Sequence, residues 1–211
     1  MSFDKPVAII ANGEPEDEEL IKEILKDVHT IIAADEGADL CAKLKIIPNI
    51  IIGDLDSIST KTMEKFESCE VIYRPDQNTN DLTKALEHAK TLSPSIIKII
   101  ALWGRRTDHM ISNLLIASSW DSNIPLLIFD NYGKMFFLNA GRHRYKGKPG
   151  ETVSMFSLGE IKNLTLKGFR YPLHKKTFSP SFNGLSNIYD SGTVSIEFSK
   201  GRLIIYEVFP E

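Results

Sequence analysis

The sequence predicts an α/β protein in which a parallel sheet, covered on both faces, is followed by a small all-β sandwich. Two observations carry this. As far as about Phe129, short unbroken apolar runs alternate with amphipathic helical stretches; beyond about Gly133, strand-like segments follow one another with no long helix between them. Unbroken apolar runs suit strands buried on both faces, and repeated strand–helix alternation argues for parallel order.

In the first half the apolar runs are residues 7–10, 31–34, 50–52, 71–73, 96–100 and 126–129, each the length of a strand. Residues 16–25, 38–44, 81–90 and 109–120 read as helices between them. In 81–90, Leu82, Ala85, Leu86 and Ala89 form the stripe of a helix that packs on a sheet. In the second half, residues 135–138, 152–156, 164–166, 194–198 and 203–208 read as strands. Val194, Ile196 and Phe198 face one way, and Ser195 and Glu197 the other. Ser199-Lys200-Gly201 reads as a hairpin turn that joins the last two strands. The expected division is a Rossmann-like α/β domain over residues 1–135 and a β-sandwich domain over 136–211, with the boundary somewhere in 131–141.

Composition excludes several classes. With 25 Lys and Arg against 28 Asp and Glu, the net charge is -3, and the basic footprint of nucleic-acid binding is missing. No apolar stretch approaches the ~20 residues that span a bilayer, and the N-terminus lacks the pattern of a secretory leader. Cys41 and Cys69 have no partners at zinc-like spacing and are too few to staple a chain of this size, so a reducing, cytoplasmic setting is expected. Neither a phosphate-binding G-x-x-x-x-G-K loop nor a G-x-G-x-x-G fingerprint is present.

Polar residues collect after the predicted strands: Asn12-Gly13, Asp35, Gly53-Asp54-Leu55-Asp56-Ser57, Asp76-Gln77 and Gly104-Arg105-Arg106-Thr107-Asp108-His109. In a parallel sheet these positions share the carboxyl edge, where open α/β sheets bind ligands. Asp54 and Asp56 are two apart in a segment expected to be extended, with both side chains on one side. Two carboxylates so close repel, and one takes up a proton unless a cation lies between them; magnesium, a hard ion, suits oxygen ligands of this kind. A solvated turn in which Asp56 caps the next helix is the competing reading. Asp81 opens a helix and, taken alone, reads as complementing the helix dipole or capping it; Asn78, Thr79 and Asn80 can satisfy the same N–H groups and leave Asp81 available for other work. Arg105 and Arg106 could clamp phosphate oxygens, but by composition alone a plain surface pair is the better reading.

Together these segments resemble the thiamine pyrophosphokinase family over nearly the whole chain. Asp35-Glu36-Gly37-Ala38 is similar to its D-G-G-A turn, and residues 48–58, Pro-Asn-Ile-Ile-Ile-Gly-Asp-Leu-Asp-Ser-Ile, to its P-D-x-I-x-G-D-F-D-S-I segment. Residues 76–84, Asp-Gln-Asn-Thr-Asn-Asp-Leu-Thr-Lys, resemble D-Q-x-x-T-D-[FL]-x-K, and residues 104–109 resemble G-G-R-x-D-H. In the second half, residues 168–173 and 184–187 resemble G-[LF]-R-Y-P-L and G-[IL]-S-N. Three places depart from the pattern. Glu36 replaces a glycine, Asn80 a threonine, and Ala101-Leu102-Trp103-Gly104-Arg105 lacks most glycines of a G-A-T-G-G run.

The resemblance implies pyrophosphate transfer from ATP to the hydroxyl of thiamine, by a homodimer with thiamine sites between its subunits. It implies that Asp54, Asp56 and Asp81 hold magnesium and the ATP phosphates, and that Asp35, Gln77 and Arg106 serve the nucleotide. Asp108 would face the transferring group or thiamine, and Ser186 and Asn187 would contact thiamine. Other readings are the same chemistry on a different alcohol such as a pterin, a phosphatase with its nucleophile in Asp54-Leu55-Asp56-Ser57, and a receiver-like signalling domain phosphorylated at Asp54. The last two would want their acids after the first strand, where the sequence has Asn12-Gly13-Glu14.

Overall fold

The computed structural model describes residues 5–120 and 123–210; residues 1–4, where a leader was sought, lie outside them, as do 121, 122 and 211. The chain divides into two compact units, Met1–Asn131 and Tyr132–Glu211.

The first unit holds strands β1 (Val7–Ile10), β2 (Thr30–Ala34), β3 (Ile50–Gly53), β4 (Glu70–Tyr73), β5 (Ile97–Ile100) and β6 (Leu126–Asp130). Between them run helices α1 (Glu18–Leu25), α2 (Gly37–Leu44), α3 (Thr60–Lys65), α4 (Asp81–Thr91) and α5 (Thr107–Ser119). The strands pair in parallel in the order β6-β5-β1-β2-β3-β4. Every residue of β1 and β3 is buried, as their unbroken apolar runs require. β4 is different: it lies at the edge, and Val71 and Tyr73 are exposed. The α4 stripe, Leu82, Ala85, Leu86 and Ala89, is buried against β2 and β3. Each such side chain withdrawn from water contributes about 1–3 kcal/mol.

The expected helix over 16–25 starts two residues late. Glu16 is itself buried, and both its carboxylate oxygens lie 3.1 Å from the Ala101 N–H, so it serves the loop after β5 rather than a helical turn. Helix α3 was not expected; it is a short turn and a half, capped by Ser59, whose Oγ accepts from the Thr62 N–H.

The second unit holds β7 (Gly133–Tyr145), β8 (Thr152–Phe156), β9 (Ile161–Lys167), β10 (Leu173–Phe178), β11 (Asn183–Ile188) and β12 (Val194–Val208). The expected hairpin at Ser199-Lys200-Gly201 is not there. β12 runs through it as one strand and stays paired with β7 from Val194 to Val208, with a register shift between Phe198 and Arg202. The extra residues form a bulge in which Gly201 takes φ +102, and a Cβ there would lie 2.5 Å from the Glu160 carbonyl. Before the bulge β12 also pairs with β9, and after it with β8. The bulge therefore bends one long strand from one layer of the sandwich into the other. Between the layers lie Val153, Met155, Ile161, Leu164, Leu166, Ile196, Phe198 and Ile205 among others, with Val194, Ile196 and Phe198 facing inward as the alternation predicts.

Candidate active site

The loops that follow β1, β2 and β5 and the start of α4 line one cleft of about 360 Å³, which includes Asn12, Asp35, Glu36, Asp81, Arg105 and Arg106. Strand order reverses between β1 and β5, the place where an open parallel sheet leaves a crevice for a ligand.

Asp35, Asp54 and Asp56 each place a carboxylate oxygen within 4.8 Å of the others. The pair Asp54 and Asp56 meets by a different route from the extended one expected. Leu55 between them has φ +65, and its N–H donates to Asp35 Oδ1 at 3.1 Å. A left-handed residue thus turns the segment so that Asp35 anchors it. Asp56 does not cap α3, since Ser59 does; it accepts from Ser57 Oγ at 2.9 Å. Burial, together with the charges of Asp81 and Asp54, pushes the Asp35 carboxyl above the usual carboxylate range. A hydrogen bond from Gln77 Nε2 at 2.7 Å pulls Asp54 the other way.

Asp81 stands outside that trio. Asn80 caps α4 by accepting from the Thr83 N–H at 2.9 Å, which leaves the Asp81 carboxylate to Lys84 Nζ at 3.0 Å. Lys84 is buried in the apolar flank of α4, and its ammonium also lies 4.0 Å from Asp54. A cation therefore already bridges two of the acids. Sequence reasoning passed over Lys84; the available signal was a lysine three residues after Asp81, within the helix's buried face.

Beyond β5, Ala101 and Arg105 have φ +56 and +58, where the resembling pattern carries glycine. The loop is held in place by Glu16 at the Ala101 N–H and by hydrogen bonds from the Gly13 N–H to the Ala101 carbonyl and the Glu14 N–H to the Trp103 carbonyl, 2.6 and 2.7 Å. Burial raises the Glu16 carboxyl to about 7. Arg106 forms a forked pair with Asp108, 2.6 and 3.1 Å, and the guanidinium holds Asp108 down at about 2. Arg105 reaches Asn12 Oδ1 at 2.5 Å and Glu36 at 3.4 Å.

Ser186 and Asn187 belong to β11, in the second unit. Ser186 is exposed with φ +53, and its N–H donates to Ser154 Oγ. Asn187 is buried. Its Oδ1 accepts from the N–H groups of Tyr171 and Ile188 at 3.0 and 2.8 Å, and its Nδ2 donates to the Tyr171 carbonyl at 3.0 Å. The amide thus fixes the Tyr171 turn, and Tyr171 and Leu185 are exposed. No helix among the described residues is long and apolar enough to cross a membrane.

Two family descriptions match the chain: "Thiamin pyrophosphokinase, catalytic domain" over residues 21–128 and "Thiamin pyrophosphokinase, vitamin B1 binding domain" over residues 142–203. The thiamine pyrophosphokinase of Bacillus subtilis is 30% identical, in an alignment that covers 95% of this chain and 97% of that one. The crystal structure of thiamine pyrophosphokinase from Bacillus subtilis superposes with a TM-score of 0.83 at 25% identity, covering 98% of this chain and 100% of the other. At 18% identity, thiamin pyrophosphokinase from Candida albicans shares the fold, with a TM-score of 0.82 over 98% of this chain and 90% of that one. An acidic, arginine-bearing cleft at the carboxyl edge of a parallel sheet and a β-sandwich after it accompany these matches, and the chain belongs to the thiamin pyrophosphokinase family.

Proposed function

We propose that this chain transfers the pyrophosphoryl group of ATP to the hydroxyl of thiamine and releases thiamine diphosphate and AMP. The observation that carries the chemistry is the carboxylate cluster: Asp35, Asp54 and Asp56 within 4.8 Å, with Asp81 tied to the same group through Lys84. Carboxylates so close must either take up a proton or lie around positive charge, and all the donors are hard oxygens, so the residues fit magnesium. Asp54, Asp56 and Asp81 would hold it, with Asp35 beside them. When bound, the metal would supply neutralisation of the charge on the transferred phosphoryl oxygens.

The chain's own groups do the rest by position and charge, as phosphoryl transfer requires. Gln77 fixes Asp54. Lys84 and Arg106 supply positive charge toward the phosphates, and Asp35 contributes to the nucleotide side. Asp108, held near pKa 2 by Arg106, is a poor proton acceptor and serves to aim that guanidinium at the transferring group. On the thiamine side, Ser186 offers a hydroxyl, and Asn187 holds exposed Tyr171, whose ring suits a cationic thiazolium.

The α/β part is the catalytic domain and the sandwich after it the thiamine-binding domain, with the boundary in residues 131–141. A homodimer accords with the exposed Ile111 and Leu115, one turn apart on α5. A cytoplasmic location accords with two free cysteines, and no nucleic acid or membrane enters the reaction.

The test is AMP formation from ATP and magnesium with thiamine, with a pterin alcohol and with no acceptor, using Asp56→Asn as control. Thiamine-dependent AMP that falls at least a hundredfold in Asp56→Asn supports the reading. AMP formed only with the pterin changes the acceptor, and no AMP with either overturns the pyrophosphokinase assignment for this chain.

A further inference from the structure

Two of the chain's departures from its family pattern meet in the cleft. Glu36 follows β2 and Arg105 follows β5, 69 residues apart, yet Arg105 Nη1 lies 3.4 Å from Glu36 Oε1. Asn12, after β1, joins them: its Oδ1 accepts from Arg105 at 2.5 Å, and its Nδ2 donates to Glu36. Both charged residues stand where glycine is usual. Glu36 needs no glycine, because its backbone is right-handed as the residue before α2. Arg105 does pay a conformational penalty, with φ +58 in the region that a Cβ disfavours. A residue held in such a conformation at a site, with its side chain engaged, points to function rather than to folding.

The other cations of the site are more firmly held. Arg106 has two bonds to Asp108, and Lys84 is buried between Asp81 and Asp54. Arg105 has one carboxylate at the limit of bonding distance and an amide oxygen, and its side chain is half exposed. A guanidinium so placed can exchange a carboxylate for phosphate oxygens without losing its fork geometry. It stands at the switch point of the sheet, where the ligand crevice lies.

We propose that Arg105 is a polyphosphate-binding residue which this chain adds to the nucleotide site, and that Glu36 is its counter-charge, displaced when the phosphates arrive. Asn12 keeps the guanidinium aimed during the exchange. Glu36 thereby sets the affinity for a nucleoside polyphosphate and leaves the affinity for the nucleoside alone. This rests on the nucleotide reading given above.

The experiment is calorimetric titration, without thiamine, of the unaltered chain, Arg105→Gln, Glu36→Gln and the double variant, with ATP plus magnesium and separately with adenosine. Arg105→Gln weakens ATP binding about tenfold, the worth of a charge-assisted bond, and leaves adenosine unchanged. Glu36→Gln tightens ATP binding about threefold, and in the Arg105→Gln background it does nothing. An equal effect of Glu36→Gln in both backgrounds overturns the proposal, since that is a general field effect without exchange; so does unaltered ATP binding by Arg105→Gln. If the unaltered chain binds no ATP, the nucleotide reading itself fails, and the proposal with it.

Discussion

Replacing Glu16 with glutamine isolates the group that braces the loop carrying Arg105 and Arg106. Glu16 is only 5% exposed, and burial is the main cause of its high pKa, with Asp130 adding to it and backbone N–H groups opposing it. A carboxyl whose folded pKa exceeds its unfolded value stabilises the fold while it is protonated in both states. That relative stability is lost as pH rises from the unfolded value through the folded one. Here the window runs from 4.5 to about 7, and at about 1.36 kcal/mol per pH unit the loss amounts to about 3 kcal/mol. Glutamine keeps an oxygen for the Ala101 N–H and cannot ionise. Urea unfolding at a series of pH values should therefore give equal stabilities for the two proteins below pH 4.5. The difference should grow in favour of Glu16→Gln toward pH 7 and level off above it at about 3 kcal/mol. A difference that does not change with pH, or one that grows in favour of the unaltered chain, would refute the reasoning, because Glu16 would then be stabilised as an anion.

Lys84→Met removes the ammonium between Asp81 and Asp54; stability at neutral pH should fall by about 1–2 kcal/mol, since both acids keep some solvent, and added magnesium should recover part of it in thermal melts. Asn187→Ala breaks two hydrogen bonds to the Tyr171 turn and one from the Ile188 N–H and should cost about 2–3 kcal/mol in urea unfolding, with a higher KM for thiamine and an unchanged KM for ATP. Gly13→Ala would set a Cβ 2.2 Å from the Trp103 carbonyl and 2.5 Å from that of Ala101, both backbone atoms; the loop after β5 must shift, and ATP-dependent turnover should fall at least tenfold.

Most strands of the first unit were legible because burial on both faces leaves an unbroken apolar word, and the α4 stripe because its period is that of one packed face; exposed β4 showed only as the short run Val71-Ile72-Tyr73. β10 and β11 escaped because their residues, His174-Lys175-Lys176 and Asn183-Gly184-Leu185-Ser186, are mostly exposed and carry register shifts, so they spell no alternation. The β12 bulge was misread for a local reason. Ser199-Lys200-Gly201 offers a flexible glycine to a turn and to a bulge alike, and only the continuous partner β7 decides between them. Within the site, the acids of the carboxyl edge showed themselves by position. The left-handed Leu55, the reach of Lys84 to Asp54 and the brace at Glu16 did not, since each joins residues through tertiary contact rather than spacing.

Transfer of an intact pyrophosphoryl group to thiamine is tested most directly by phosphorus NMR of one reaction containing the purified chain, magnesium, ATP and thiamine, which follows every phosphate at once. Thiamine diphosphate and AMP should grow one for one, with neither ADP nor free pyrophosphate. ADP with thiamine monophosphate, or AMP with free pyrophosphate, would rule out the transfer.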